Sequence, residues 1–352
     1  MEFNKNTIIG LVLMLALAFG VSWYNAKDAQ EKAEQQAAQL VNTPTPEPQQ
    51  NASSTNESVS TSNIPVADAS ALVAERGVFG AQTQGTPGIV VLENNKIKVK
   101  INQQGATLHS VELKDDRYLT YWDKQHIQFW DSLSQKMNWT WVDQQKGQQF
   151  SWQYFFQSST IASDGRGNQS VVLSLDNGSG KKFSVQYTLP SDSHELQCKI
   201  MAEQLQNDWN FANGNFKLDW QTSGLTNEKG IQSERSRSSV FFCEMDKDRD
   251  YLSETGGADK VIENRLQWVA FKQNYFSTAV IADNGFQNNG RLAVMTPEDS
   301  VHTKVFWAQM PLDLSAGQQN IRFFFGPNEQ ALLSSTEVHE FDRIIDYGWG
   351  IH

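Results

Sequence analysis

The chain has 352 residues, 39% hydrophobic and 20% charged, enough to bury the core of one large β domain or two small ones. Its 11 Trp and 20 Phe suit a packed β-sandwich. A net charge of −11 excludes a nucleic-acid binder, which needs clustered Lys and Arg, and two cysteines exclude a disulfide scaffold.

Residues 7–24, TIIGLVLMLALAFGVSWY, carry no charge. At ~1.5 Å per residue they reach roughly 27 Å, close to the ~30 Å hydrocarbon core of a bilayer. Thr7, Ile8, Leu11, Leu15 and Phe19 give the apolar body, and Trp23 and Tyr24 suit the membrane interface. The expected order is a cytoplasmic tail, residues 1–6, then one transmembrane helix, residues 7–24. A cleaved signal peptide competes, because Ala16-Leu17-Ala18 has the small-x-small form of a cleavage site, although it lies inside the apolar run. Both readings place the remaining chain outside the cytoplasm.

Residues 25–85 are expected to form a polar, disordered tether. Residues 26–40 are rich in Ala, Gln, Glu and Lys without a sustained apolar stripe, so a helix there would be solvated. Residues 42–63 hold three prolines, no aromatic residue and one aliphatic residue larger than Ala, Val59. Such a segment cannot offset its ordering entropy by burial. Residues 67–76 suit a short helix, and Gly77, Gly80 and Gly85 break the chain after it.

From Ile89 the pattern has period two. Lys96-Ile97-Lys98-Val99-Lys100-Ile101 alternates strictly, as a half-buried strand does. Residues 107–113, 138–142, 150–155, 170–175, 182–189 and 195–201 share the same pattern. Later candidates lie at 216–220, 240–243, 265–271, 275–281, 292–295, 301–307 and 320–325. Turn residues such as Asp164-Gly165 and Asn177-Gly178-Ser179-Gly180 separate them. About fifteen strands with short loops and no interposed helix predict an all-β fold, a large antiparallel sandwich over residues 86–327.

Residues 328–346 are expected to form an amphipathic helix capped by Asn328. Ala331, Ser334, Val338, Phe341 and Ile345 share one face, widened by Leu332, Leu333 and Ile344. Packing on the sandwich and lying on the membrane surface are both open to it. Tyr347 and Trp349 then resemble an interfacial girdle, and residues 347–352 read as the start of a truncated second transmembrane segment.

Signatures of chemistry are few. Six histidines show no HxxxH, HxH or HExxH spacing, and neither a P-loop nor a GxSxG is present, so no metal, cofactor or catalytic residue is expected. Asp246-Lys247-Asp248-Arg249-Asp250 opens like a calcium loop, but Tyr251 stands where the turn glycine belongs and Gly257 where the bidentate Glu belongs; a solvated acidic turn is expected. Asp115-Asp116 reads as a polar turn. The aromatic-rich residues 122–152 are read as core, with a sugar groove as the competing reading. Cys198 and Cys243 are read as separate buried thiols, with one disulfide in an oxidising compartment as the competing reading.

Four stretches together resemble the N-terminal part of the YidC/Oxa family of membrane protein insertases. They are KNTIIGLVLMLALAFGVSWY; residues 90–113 with GATLHSVELK; Gln267-Trp268-Val269-Ala270-Phe271 leading to Tyr275-Phe276; and Phe324-Phe325-Gly326-Pro327 followed by Ile345-Asp346-Tyr347-Gly348-Trp349. The resemblance implies a mutarotase-like β-supersandwich for about residues 86–327, held in the periplasm by a bacterial inner-membrane anchor. It implies structural roles for Trp268, Val269, Tyr275, Phe276, Gly326 and Pro327. It also implies a membrane-proximal position for the closing helix with Val338, Phe341, Ile345, Tyr347 and Trp349. The implied partners are the lipid bilayer, the Sec translocon with its accessory subunits, and nascent membrane proteins. The family's insertion groove belongs to a five-helix core without a counterpart in residues 1–352. The expectation is therefore a truncated gene, a fragment, or a core encoded separately, with no insertase activity in this chain alone and no enzymatic role. Two other classes stay open: an anchored carbohydrate-binding or aldose-epimerase-like sandwich, and a passive scaffold.

Overall fold

The computed structural model describes residues 66–345. The anchor residues Thr7, Ile8, Leu11, Leu15, Phe19, Trp23 and Tyr24, and the girdle residues Tyr347 and Trp349, lie outside them. Within residues 63–352, one compact unit, α1 (Val66–Arg76) comes first. Twenty strands come after it among the described residues: β1 (Ile89–Glu93), β2 (Ile97–Asn102), β3 (Thr107–Leu113), β4 (Lys136–Asp143), β5 (Gly147–Phe150), β6 (Gln157–Ser158), β7 (Ala162–Ser163), β8 (Gln169–Asp176), β9 (Lys182–Leu189) and β10 (Glu195–Glu203). The second half adds β11 (Trp209–Asn210), β12 (Phe216–Leu225), the short helix α2 (Ile231–Arg235), β13 (Ser239–Glu244), β14 (Arg249–Tyr251), β15 (Ala258–Ile262), β16 (Leu266–Lys272), β17 (Phe276–Ile281), β18 (Gly290–Met295), β19 (His302–Leu312), β20 (Gln318–Pro327) and α3 (Gln330–Ser334).

The strands build three antiparallel sheets: β1-β2-β3; a ten-stranded sheet β14-β13-β16-β17-β20-β10-β9-β8-β6 with β7 beside β8; and a seven-stranded sheet β11-β4-β12-β19-β18-β15 with β5 beside β4. The all-β antiparallel architecture arises from side-chain alternation. In β2, Ile97, Val99 and Ile101 are buried while Lys98 and Lys100 turn outward. The main core holds Trp139, Trp141, Trp209, Phe183 and Phe216 in one aromatic stack, Trp141 and Trp209 lying 4.5 Å apart at 25°. Each fully buried aromatic contributes about 1.5–3 kcal/mol.

β17 is buried along its whole length and β16 along all but one residue, because both of their faces are covered. Val269, Phe271 and Val280 face the main core. Trp268, Ala270, Ala279 and Ile281 face the other way, into a second cluster with Phe241, Cys243 and Phe324.

Three expectations need correction. The tether does not extend to residue 85: α1 occupies 66–76, and Phe79 is buried in the main core with its ring 5.8 Å from Trp209. Tyr154 Oη donates to the Arg76 carbonyl (3.2 Å), fastening this entry to the domain. Second, residues 150–155 are not one strand. β5 ends at Phe150 and Ser151–Gln153 make a 3-10 turn, because the buried Ser151 hydroxyl accepts from Trp139 N–H (3.0 Å) and its carbonyl accepts from Tyr154 N–H (2.9 Å). Third, the closing helix is broken. α3 stops after Ser334, Glu337 and Glu340 adopt left-handed φ of 56° and 59°, and Phe341–Ile344 form a 3-10 turn. The aromatic-rich residues 122–152 divide: Trp130, Trp139 and Trp141 are core, while Trp122 and Trp152 are exposed.

Candidate functional site

The broken closing segment lies on the outer face of the ten-stranded sheet. Leu333, Val338, Phe341 and Ile344 are buried against Trp268, Phe324, Ala279 and Ile281. Phe341 meets Trp268 edge-to-face (5.3 Å, 74°) and Phe324 likewise (5.3 Å, 84°). Trp268 Nε1 donates to the His339 carbonyl (2.9 Å), and Arg249 Nε donates to the Arg343 carbonyl (2.9 Å). The left-handed residues turn the chain back so that Val338 and Phe341 reach the sheet. Ala331 and Ser334, expected on the buried face, are exposed, and Ile345 is half-buried.

The motif residues divide between this contact and the interior. Trp268 is on it; Val269 points into the main core; Phe276 packs on Tyr118 (5.6 Å) and Phe129 (6.5 Å). Tyr275 is exposed in the β16–β17 turn, where its carbonyl accepts from Asn328 N–H (2.7 Å). Gly326 and Pro327 pair with Ser277 and Phe276. A Cβ on Gly326 would lie 2.7 Å from Phe324 Cζ and 3.2 Å from Leu332 Cδ2, so glycine is what lets α3 approach the sheet.

A polar cleft forms the second feature. It has a volume of 590 Å³ and its walls include Glu112, Trp122, His126, Gln128 and Asn227. A smaller recess of 290 Å³ shares Glu112, Gln128 and Leu225 with it and adds Lys98, Lys100, His109 and Asp131. His126 sits between Asp116 (2.9 Å) and Glu112 (3.5 Å), and its hydrogen bond to Asp116 raises its pKa. His302 lies between Asp299 (3.0 Å) and Asp131 (3.4 Å), and the imidazole holds the Asp299 carboxyl down at about 2. Burial, then the Lys100 charge, lowers the pKa of His109. Away from the cleft lining, Tyr118 donates to Glu329; burial and that bond push the phenol up to about 12.

Of this cleft the sequence offered only Trp122, within the residues 122–152 for which a sugar groove was the competing reading; Glu112, Asp131 and Asn227 join it only through the fold. One local signal of its exposure was available. Tyr121-Trp122 are adjacent aromatics outside any strand pattern, followed by Asp123, Lys124 and Gln125, polar residues that suit a surface turn. Among the described residues no group of three or more His, Cys, Asp or Glu is arranged to hold a metal. Cys198 and Cys243 are separate buried thiols. Burial pushes the Cys243 thiol up to about 12, and raises Cys198 further, so neither is a nucleophile at neutral pH. Asp246 and its neighbours form the β13–β14 turn, with Lys247 on Glu244 (2.7 Å). Among the described residues no helix is long and apolar enough to cross a membrane.

Known proteins similar to this chain include the membrane protein insertase YidC of Parabacteroides distasonis, 29% identical over 99% of this chain and 56% of that protein. The insertase YidC of Phocaeicola vulgatus is 25% identical over 99% of this chain and 55% of that protein. The chain thus spans about half the length of the curated relatives it matches. Solved structures with similarity include a galactose mutarotase related enzyme from Lactobacillus acidophilus (12% identity, 68% of this chain, 97% of that chain, TM-score 0.37). A galactose mutarotase-like protein from Lactobacillus casei is similar too (14%, 68%, 100%, TM-score 0.39). The model of the YidC periplasmic domain matches residues 89–351, well over half of the sequence, and the chain belongs to that family.

Proposed function

We propose that this chain is the anchor and periplasmic part of a YidC-type insertase, which aids the insertion, folding and assembly of inner-membrane proteins. The observation that carries the reading is the family match over residues 89–351, with relatives aligned along 99% of the chain. Residues 7–24 would supply the membrane span and the sandwich an interaction domain outside the cytoplasm. The docked segment 330–345, fastened by Trp268 and Phe341, would fix where the chain leaves the sandwich towards the membrane. Lipid, nascent membrane proteins and the Sec translocon with its accessory subunits would be the partners. The domain's contribution is binding, not catalysis.

The test has two arms in bacterial membranes depleted of their own insertase. The chain is expected to co-purify with Sec translocon accessory subunits and to leave insertion of a substrate protein unrestored. Absence of any such association, or restored insertion by the chain alone, would overturn the reading.

A further inference from the structure

The cleft is used neither by the docked segment nor by the membrane role, and its polar groups converge on open space. We propose that it binds an acidic saccharide, a hydroxyl-bearing ring ligand carrying a carboxylate or a phosphate. The inference is independent of the insertase reading.

Size comes first. At 590 Å³ with an adjoining 290 Å³ recess, the cleft falls in the range of small-molecule sites, about 300–1,000 Å³. An aromatic platform stands in it: Trp122 is 66% exposed, although six other Trp side chains of this domain are fully buried. Its ring is braced edge-on by Tyr121 (4.8 Å, 89°), whose backbone N–H donates to the Asn227 carbonyl (2.8 Å). The loop carrying it is preformed. Leu119 bridges His126, Thr120 N–H donates to the Gln125 carbonyl (2.9 Å), and Gln125 N–H donates to the Thr120 hydroxyl (2.9 Å). A rigid loop pays little ordering cost on binding.

Beside the platform stand the amides of Gln125, Gln128 and Asn227, each both donor and acceptor. A flat apolar face flanked by amides complements a sugar ring, whose CH face is apolar and whose rim is hydroxylated.

The recess supplies the charge preference. Lys98 and Lys100 are successive outward residues of β2, and His109 is on neighbouring β3. The acids there are engaged: Glu112 accepts from Gln128 (2.7 Å), and Asp131 accepts from Leu133 N–H (3.0 Å) and faces His302. Lys98 lies 3.8 Å from Glu93, whereas Lys100 has no ion pair among the described residues. Glu112 and Asp131 offset the two lysines in number, so the charge preference rests on Lys100, the lysine of the recess without an ion pair among the described residues.

A peptide added as a strand is the competing occupant, and the backbone disfavours it. The edge of β3 at the cleft is already paired: Glu112 bridges Gln128, Leu113 N–H donates to the Ile127 carbonyl (2.9 Å), and Phe129 N–H donates to the Val111 carbonyl (3.1 Å).

Titration calorimetry on the purified full chain tests the proposal with four probes: hyaluronan tetrasaccharide, phosphorylated maltotetraose, plain maltotetraose and an extended decapeptide. At least one acidic saccharide is expected to bind with Kd of about 0.1–1 mM, with maltotetraose about tenfold weaker. The carboxylate and phosphate arms identify which acid is preferred. Trp122→Ala should weaken binding at least about tenfold, while Trp152→Ala, an exposed Trp outside the cleft, should change nothing. Lys100→Gln should abolish both the preference for the acidic probe and its salt dependence. Three results would overturn the proposal: no saturable binding of any saccharide up to about 10 mM, binding indifferent to Trp122→Ala, or binding of the decapeptide alone.

Discussion

Replacing Phe341 by Ala removes the side chain that joins the closing segment to the ten-stranded sheet. The ring is fully buried and makes edge-to-face contacts with Trp268 and Phe324, both at 5.3 Å. Such aromatic pairs contribute about 0.5–1.5 kcal/mol each beyond their burial. In a closed core, Phe→Ala costs about 3–5 kcal/mol. Here the segment can detach instead of enclosing a cavity, so local opening limits the loss. We expect the unfolding free energy to fall by about 2–4 kcal/mol. The amides of Leu333, Phe341 and Arg343, which donate to Glu329, Val338 and Glu340, should exchange fastest. Urea unfolding with native-state hydrogen exchange measures both. Ala331→Ser, on the face that the helical period wrongly buries, should stay within about 0.5 kcal/mol. A loss below about 1 kcal/mol for Phe341→Ala, with exchange unchanged over residues 331–345, would refute the packing argument.

The remaining predictions concern backbone, charge and thiols. Gly326→Ala sets a methyl against Phe324 and Leu332 and should cost about 1–3 kcal/mol in urea unfolding; a neutral result would remove the close approach of α3. His126, whose pKa is raised by Asp116 and then Glu112, stabilises the fold below the ordinary 6.5, and that contribution is lost as pH rises through its folded value. His126→Gln should therefore lose more stability at pH 5 than at pH 8, and an NMR titration of its ring below 6.5 would contradict this. His194 has the opposite sign. Burial lowers its pKa to about 4, so stability is lost as pH falls from 6.5 towards 4, and His194→Gln should blunt that acid sensitivity. Cys198 and Cys243 should resist iodoacetamide in the native chain at pH 8 and react after denaturation; rapid labelling of either would contradict their burial.

The strands were legible where one face meets a core and the other meets water. Thr107–Leu113 and Lys182–Leu189 have the bounds that alternation predicts. β14 and β15 escaped notice because they are charged strands at sheet edges, with Asp259 and Lys260 exposed and no apolar period to read. The closing segment shows the limit of helical period. Its apolar residues fit a helix, but tertiary contact with Trp268 and Phe324 is worth more than completing one, and two left-handed glutamates accept the turn. Phe79 was the overlooked sign that the domain begins before residue 85, since a lone aromatic after a helix has a core to enter. The motif residues Trp268 and Gly326 were visible as a pattern, but their roles became clear only from what they touch.

Protease protection in two kinds of bacterial vesicle tests the central claim most directly, with an antibody against residues 89–327 as the readout. The account predicts that protease added to spheroplasts reaches the domain, and that the same protease added to inverted inner-membrane vesicles leaves it intact until detergent opens them. A domain protected in spheroplasts and digested in inverted vesicles would place it in the cytoplasm and contradict the account.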